Sequence, residues 1–106
     1  IKEMVDAKVE LFNSWWLPKL MHKETMDDEY QAYAVLTMTR MLYGIANLDE
    51  VSKKKSAKWC IEKYPDFNSL IVDAQKWKPG QKFNKIVQVY EFIDFTNQQI
   101  MTYTNA

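Results

Sequence analysis

The sequence predicts an all-α fold, a single antiparallel bundle of about five helices in which residues 1–106 form one domain. Three observations favour this fold. The 106 residues suit one domain, apolar residues recur at helical spacing in five segments, and the chain has only two glycines and three prolines. An all-β domain would need more turns, and those turns would use more of both residues.

The first two helices are predicted from apolar stripes and flanking residues. Pro18 lacks a backbone N–H, so it should kink or end the first helix and begin a bend with a loop over residues 17–25. The acids Asp27 and Asp28 suit the positive end of a helix dipole and should start the second helix. That helix is apolar on most sides, so it should be the central, buried one. The stripes are Val5, Val9, Phe12 and Trp16, then Tyr30, Ala34, Met38, Met41 and Ile45.

Three further helices follow, with short connections that favour antiparallel neighbours. Ser52 is a suitable N-cap for the third helix, and Pro65 should stop it. The fourth should begin around Asp66, and the Lys-Pro-Gly of residues 78–80 predicts a turn before the last helix, which should fray after Thr102. The buried stripes are Ala57, Cys60, Ile61 and Tyr64, then Phe67, Leu70, Ile71 and Ala74, then Ile86, Val89, Tyr90 and Ile93.

Composition argues against several classes of partner. Fourteen basic residues balance fourteen acidic ones, for a net charge of +0, so the chain as a whole has no strong attraction to nucleic acid or anionic lipid. No apolar run approaches the roughly 18 residues of a membrane span, so we expect neither membrane nor nucleic acid as a partner. Cys60 is the only cysteine, which favours a reducing, cytoplasmic compartment. Because the chain begins at Ile1, we expect a part of a longer or trimmed protein.

The residues that catalytic and metal centres require are sparse. His22 is the only histidine, so a histidine-based metal site is not expected. A nucleophilic pair would need Cys60 beside His22, whereas the helical periodicity assigns Cys60 to the core. The two glycines lie far apart and form no phosphate-binding loop, and no acids have the spacing of a metal-binding nucleotidyltransfer site. We therefore expect no catalytic residue and no metal ligand in this chain.

Three local clusters each have a functional and a purely structural interpretation. The basic cluster is Lys53, Lys54, Lys55 and Lys58, the acidic cluster is Glu24, Asp27, Asp28 and Glu29, and the two tryptophans off the apolar stripes are Trp15 and Trp77. Positive charge at a helix start suits a phosphate, although a solvated face with ordinary surface lysines is the commoner explanation. The acids could attract a polycation or only complement the helix dipole. The tryptophans could stack on a flat ligand or pack internally.

Several segments, in order and spacing, resemble one family. Residues 36–43 read Leu-Thr-Met-Thr-Arg-Met-Leu-Tyr, and Val-Ser-Lys at 51–53 and Ala-Lys-Trp at 57–59 follow. Asp-Ala-Gln-Lys-Trp at 73–77 and Tyr-Glu-Phe-Ile-Asp-Phe at 90–95 come later. Together they resemble the C-terminal helical domain of the streptomycin/spectinomycin adenylyltransferases, which carries Leu-Thr-x-x-Arg-x-Trp/Tyr, Ser/Pro-Lys, Ala-x-Trp, Glu-Ala-Arg-x-Tyr and Glu-Phe-Val-x-Tyr motifs. The resemblance runs from about Asp28 to Ile100.

The resemblance implies that this domain closes the cleft of an N-terminal nucleotidyltransferase domain, which holds the metal-binding acids and the general base. Together the two domains would transfer AMP from ATP to a hydroxyl of an aminoglycoside, giving antibiotic resistance. ATP and Mg would be cofactors of the complete enzyme, with none bound by this chain alone, and the isolated chain should be inactive. Two alternatives stay open: a separate helical subunit or interaction module that partners a nucleotidyltransferase, and a helical scaffold without a ligand.

The resemblance also implies roles for particular residues. Lys53 corresponds to the lysine that contacts the ATP phosphates, and Trp77 to a tyrosine at the nucleotide. The drug contacts correspond to the acids at the start of the central helix, Asp27, Asp28 or Glu29. In a straight register Tyr30 stands where the family has its acid, and Leu48 stands where a turn glycine is usual.

Overall fold

A computed structural model describes residues 2–22 and 25–104, apart from the side chains of Lys2 and Met4, and every regular element in these ranges is helical. The elements are α1 (Lys2–Leu11), a π turn (Phe12–Trp16), α2 (Leu17–His22), α3 (Asp28–Asn47), α4 (Lys53–Lys63), a 3-10 turn (Pro65–Phe67), α5 (Asn68–Lys76) and α6 (Ile86–Thr104). Because α1, the π turn and α2 are continuous, the described chain forms five helical rods. The predicted all-α fold is confirmed.

The long helix α3 is the centre of the domain, as its apolar sequence predicts. It contacts α1, α4, α5 and α6, and its buried residues include Ala34, Val35, Met38, Leu42 and Ile45. The facing side of α6 contributes Val89, Phe92, Ile93 and Ile100. Burial of each large apolar side chain contributes about 1.5–3 kcal/mol, so α3 and α6 supply much of the core. No helix among the described residues combines the length and apolarity that a membrane span requires.

The prediction of a loop after Leu17 is wrong, because the helix continues through Pro18 to His22. A π turn ends at Trp16, two residues before the proline, and the Leu17 N–H donates to the Phe12 carbonyl oxygen, five residues back. The backbone hydrogen bonds have therefore already changed from the i−4 to the i−5 pattern just before Pro18, which has no N–H to donate. Burial of Phe12 and Trp16 in the core holds this wider turn in place. Residues 23 and 24 of the predicted loop lie outside the described residues.

The other helix boundaries agree closely with the sequence. Ser52 caps α4, and α4 stops before Pro65. The Asp66 region forms the 3-10 turn rather than the first turn of α5. The last helix extends to Thr104, beyond the predicted onset of fraying at Thr102, and residues 105–106 lie outside the described residues.

The C-terminus of α3 adopts a backbone conformation that usually requires glycine. Leu48 has φ 56° and ψ 41°, in the left-handed region, and its N–H donates to the Gly44 carbonyl oxygen at 2.9 Å. Its side chain is 48% exposed, so packing recovers little of the steric cost. For a residue with a β-carbon that cost is roughly 1–2 kcal/mol.

Replacing Leu48 by glycine should therefore stabilise the domain. The relief of strain outweighs the greater chain entropy of glycine in the unfolded state, for a net gain of roughly 0.5–1 kcal/mol in the free energy of unfolding. Urea titration followed by circular dichroism measures this quantity. Leu48→Ala is the matched control, because it keeps the β-carbon and should give no gain. Equal stability of the glycine and alanine variants would contradict the strain.

Candidate functional site

The start of α4 is fixed against α3 by a seam of small polar residues. The Ser52 Oγ accepts a hydrogen bond from the Lys55 N–H at 3.2 Å, which confirms the predicted N-cap. The buried Ser56 hydroxyl donates to the carbonyl oxygens of Ser52 and Lys53, at 3.1 Å each. Its Oγ lies 3.4 Å from the Thr39 Oγ1 of α3. The backbone of Lys53 therefore has a defined position beside the central helix.

Four aromatic residues lie near Lys53 at the start of α4. We call them the aromatic ridge, and they are Trp15, Trp16, Tyr30 and Tyr33. The Lys53 Nζ lies 5.6 Å from the centroid of the Tyr33 ring, and the Tyr33 ring contacts Trp16 and Tyr30, with centroids 6.1 and 5.7 Å apart. Lys53 itself is exposed, as are the other three lysines of the basic cluster. The side chain predicted to meet phosphate is thus accessible and lies at one end of the ridge.

The other end of the ridge surrounds Tyr30, a predicted drug contact. The Trp15 indole N–H donates to the Tyr30 hydroxyl oxygen at 2.9 Å. The Lys19 Nζ lies 4.7 Å from the Trp15 ring centroid and 5.3 Å from that of Tyr30. Trp15 is 51% exposed, in agreement with its place off the apolar stripe. Both ends of the ridge therefore have an ammonium group within cation–π range, which is about 6 Å.

Asp27, Asp28 and Trp77 line a second surface, a groove of about 320 Å³ between the start of α3 and the loop after α5. The Trp77 indole N–H donates to the Gln81 carbonyl oxygen at 2.9 Å, and the Gln81 side chain accepts from the Lys78 N–H at 2.9 Å. These bonds fold the loop back on itself and orient the half-buried indole. The structure thus brings Trp77 to the acids at the start of α3, while Lys53 lies at the ridge.

The two acids differ in their surroundings. Asp27 is exposed and is the N-cap of α3, with its Oδ1 accepting from the Tyr30 N–H at 2.7 Å. It also lines a smaller groove of about 200 Å³ with Lys19 and Tyr30. Asp27 therefore connects the ridge to the groove that contains Trp77. Glu29 is exposed as well, and Glu24 of the acidic cluster lies outside the described residues.

Asp28 holds the loop that leads into α6. Its Oδ1 accepts hydrogen bonds from the backbone N–H groups of Phe83 at 2.8 Å and Asn84 at 3.0 Å. These bonds keep the pKa of the Asp28 carboxyl below its ordinary value, with a smaller contribution from the positive charge of Lys82. The buried Gln31 extends the arrangement, because its side-chain oxygen accepts from the Lys85 N–H at 2.9 Å.

This clamp, formed by Asp28 and Gln31, was missed in the sequence. Gln31 was assigned no role, although the side-chain nitrogen also donates to the Met26 carbonyl oxygen at 2.9 Å. The sequence did contain a signal, because Gln31 lies one turn into a helix that is otherwise apolar and buried. Buried polar groups need hydrogen-bond partners, so a glutamine at this position indicates a polar contact. The role of Asp28 as a drug contact stays a prediction. One of its carboxylate oxygens holds the loop before α6.

The remaining candidates behave as core or surface residues. Cys60 is fully buried, its thiol donates to the Thr39 carbonyl oxygen at 3.6 Å, and burial raises its pKa to about 12. It is therefore a protonated core residue and not a nucleophile. His22 is exposed at the end of α2. Within residues 2–22 and 25–104, no group of three or more histidine, cysteine, aspartate or glutamate side chains is arranged to hold a metal ion.

Comparison with protein families gives one assignment. The family model described as aminoglycoside adenylyltransferase, C-terminal domain, matches residues 9–102. The match includes the ridge, the basic cluster and the groove with Trp77. Comparisons with curated proteins and with solved structures gave no match.

Asp28→Asn should change how stability depends on pH. Because the folded pKa of Asp28 lies below its ordinary value of 3.8, its carboxylate stabilises the fold fully above that value. This contribution is lost as the pH falls through the lowered folded pKa. Wild type should therefore melt above the variant at neutral pH, with the difference shrinking below about pH 3.8. Thermal melts over a pH series measure this, with Glu29→Gln as a control for the loss of one exposed charge. A difference that stays constant into strong acid would contradict the clamp.

Proposed function

The chain belongs to the aminoglycoside adenylyltransferase C-terminal domain family, and on this premise we propose that it helps bind ATP and an aminoglycoside for transfer of AMP to a drug hydroxyl. The family implies an accompanying N-terminal nucleotidyltransferase domain, which would supply the catalytic acids and the magnesium site. The observation that carries the proposal is the position of the exposed Lys53 ammonium at the start of α4, beside the ridge that leads to the acids of α3.

The surroundings of Lys53 suit the triphosphate of ATP. The N–H groups of the first helical turn lack partners within the helix, and they favour an anion at the start of α4. A lysine ammonium beside them adds charge-assisted hydrogen bonds and stabilises the charge that develops in phosphoryl transfer. In this proposal Trp77 offers an indole face to the nucleotide from the groove that it shares with the acids of α3, and not from the ridge beside Lys53. Its bond to Gln81 orients the indole. Lys54, Lys55 and Lys58 remain ordinary surface lysines.

The N-terminus of α3 suits a polycationic drug. Asp27 and Glu29 are exposed carboxylates at the groove, and a cation on the drug would gain from both. Asp28 would add to their field while one of its oxygens holds the loop before α6. Tyr30 would meet the drug through its ring or by donating its O–H, since the hydroxyl oxygen can accept from Trp15 at the same time. The proposed setting is the cytoplasm, where ATP is available, and the proposed consequence is antibiotic resistance.

Lys53→Ala in the complete enzyme should lower kcat/KM for ATP by roughly tenfold to a hundredfold, which corresponds to the loss of one charge-assisted hydrogen bond of about 1.5–3 kcal/mol. Steady-state adenylyl transfer at saturating drug measures this. Lys54→Ala is the matched control, because it removes a neighbouring exposed lysine of the same helix turn. Wild-type kinetics in Lys53→Ala, or an equal loss in Lys54→Ala, would refute the role of Lys53.

Asp27→Asn separates the charge of Asp27 from its structural role. Asparagine is as good an N-cap as aspartate, so the hydrogen bond from the Tyr30 N–H and the melting temperature should be kept. Loss of one exposed charge should raise KM for the drug about two- to fivefold, and less at high salt. Glu62→Gln, which removes an exposed acid from α4, is the control. An unchanged KM for the drug, or a rise confined to ATP, would remove Asp27 from the drug site.

A further inference from the structure

Tyr33 is a large aromatic residue that the core does not require. It lies on α3 between the buried Ala32 and Ala34, yet its side chain is 46% exposed. Its ring is nevertheless held in place. The Trp16 ring packs against it at a centroid distance of 6.1 Å, and the Tyr30 ring meets it edge-on at 5.7 Å. Since Trp16 is only 1% exposed, the Tyr33 ring packs against a buried core residue.

The face of this ring meets the Lys53 ammonium. The Nζ lies 5.6 Å from the Tyr33 ring centroid, within the roughly 6 Å over which a ring quadrupole attracts a cation. The backbone of Lys53 is already fixed by the Ser52 cap and the Ser56 hydroxyl. What remains undetermined is the flexible four-carbon stem of the lysine, which has many rotamers. The Tyr33 ring contacts the ammonium at the end of that stem and so favours the rotamers that keep this contact.

An aromatic partner differs from an acidic partner in its effect on the lysine. A carboxylate beside the ammonium would compensate its charge and compete with an incoming phosphate. A ring face attracts the cation weakly and brings no opposing charge, so the ammonium keeps its full charge for a phosphate. Holding the stem near one conformation also lowers the entropy that binding must overcome.

We infer that Tyr33 is a positioning residue for Lys53: its ring face holds the ammonium at the start of α4 and so raises the affinity of the complete enzyme for ATP. This inference rests on the proposed function, in which Lys53 contacts the ATP phosphates. Tyr33 itself touches no reacting atom, and its hydroxyl is not needed for the effect.

The first test uses adenylyl transfer by the complete enzyme. Tyr33→Leu should raise KM for ATP about two- to fivefold, the range expected for an exposed cation–π contact, with kcat little changed. Tyr33→Phe keeps the ring and should match wild type. Tyr103→Leu, which removes another exposed tyrosine on α6, is the control and should leave KM for ATP unchanged. A loss in Tyr33→Phe equal to that in Tyr33→Leu would overturn the role of the ring face, as would a rise in KM for the drug alone.

A double-mutant cycle separates this inference from the proposed function. In a Lys53→Ala background, Tyr33→Leu should have no further effect on KM for ATP, because the positioned group is absent. An effect that persists there would mean that Tyr33 meets the nucleotide directly and would overturn the inference. If Lys53→Ala weakens ATP binding but Tyr33→Leu does not, the inference fails while the proposed function stands. If neither variant affects ATP, both fail.

A series of fluorinated rings keeps the inference testable even if Tyr33→Leu does not fold. Phenylalanine with increasing numbers of ring fluorines at position 33 retains the ring shape while its negative face weakens. The logarithm of KM for ATP should rise stepwise along the series, and melting temperatures should report equal folding. A purely structural role for the ring would leave KM flat across the series, and that result would overturn the inference.

Discussion

The burial of α3 is the constraint on which the other features of the domain depend. Four helices contact it, and because its middle is apolar on most sides, packing of the core is the main determinant of its position. Each candidate surface is then attached to α3. The Thr39 hydroxyl lies beside Ser56 at the start of α4, the first turn of α3 holds the loop before α6, and Tyr30 and Tyr33 extend from it to form the ridge. The positions of the residues at the proposed sites therefore follow from the packing of the core around α3.

The N-terminus of α3 combines two tasks that are usually separate. Asp27 and Asp28 stabilise the helix, one as an N-cap and the other as an acceptor for the loop at Phe83 and Asn84. The same carboxylates supply negative charge to the groove. The negative charge of these carboxylates adds little cost, because backbone N–H groups already donate hydrogen bonds to Asp27 and Asp28. Because the same carboxylates do both, an alanine variant of Asp27 or Asp28 would lose the hydrogen bonds and the negative charge together. An asparagine variant keeps the hydrogen-bonding oxygen and removes only the charge.

The sequence predicted those features that depend on neighbours along the chain. The α3 boundaries and the Ser52 cap follow from local periodicity and side-chain chemistry, and the structure confirms them. The loop after Leu17 was wrong because the π turn depends on burial of Phe12 and Trp16, which local rules do not include. The bond from Lys85 to Gln31 joins residues 54 positions apart, and the contact of Lys53 with Tyr33 likewise crosses between helices. Family motifs selected Lys53 and Trp77, but no pattern in the sequence indicated which surface each one lines.

The arrangement of charge explains how one small domain with no net charge could serve two ligands of opposite charge. In the proposed function, an anionic triphosphate meets Lys53 and a polycationic drug meets Asp27. Direct pairing of these two side chains would neutralise both. The ridge lies between them, with the Tyr33 ring near Lys53 and Tyr30 following the Asp27 cap. Aromatic rings fill this space with surface that attracts a cation yet carries no net charge, so each charged group stays available to its own ligand.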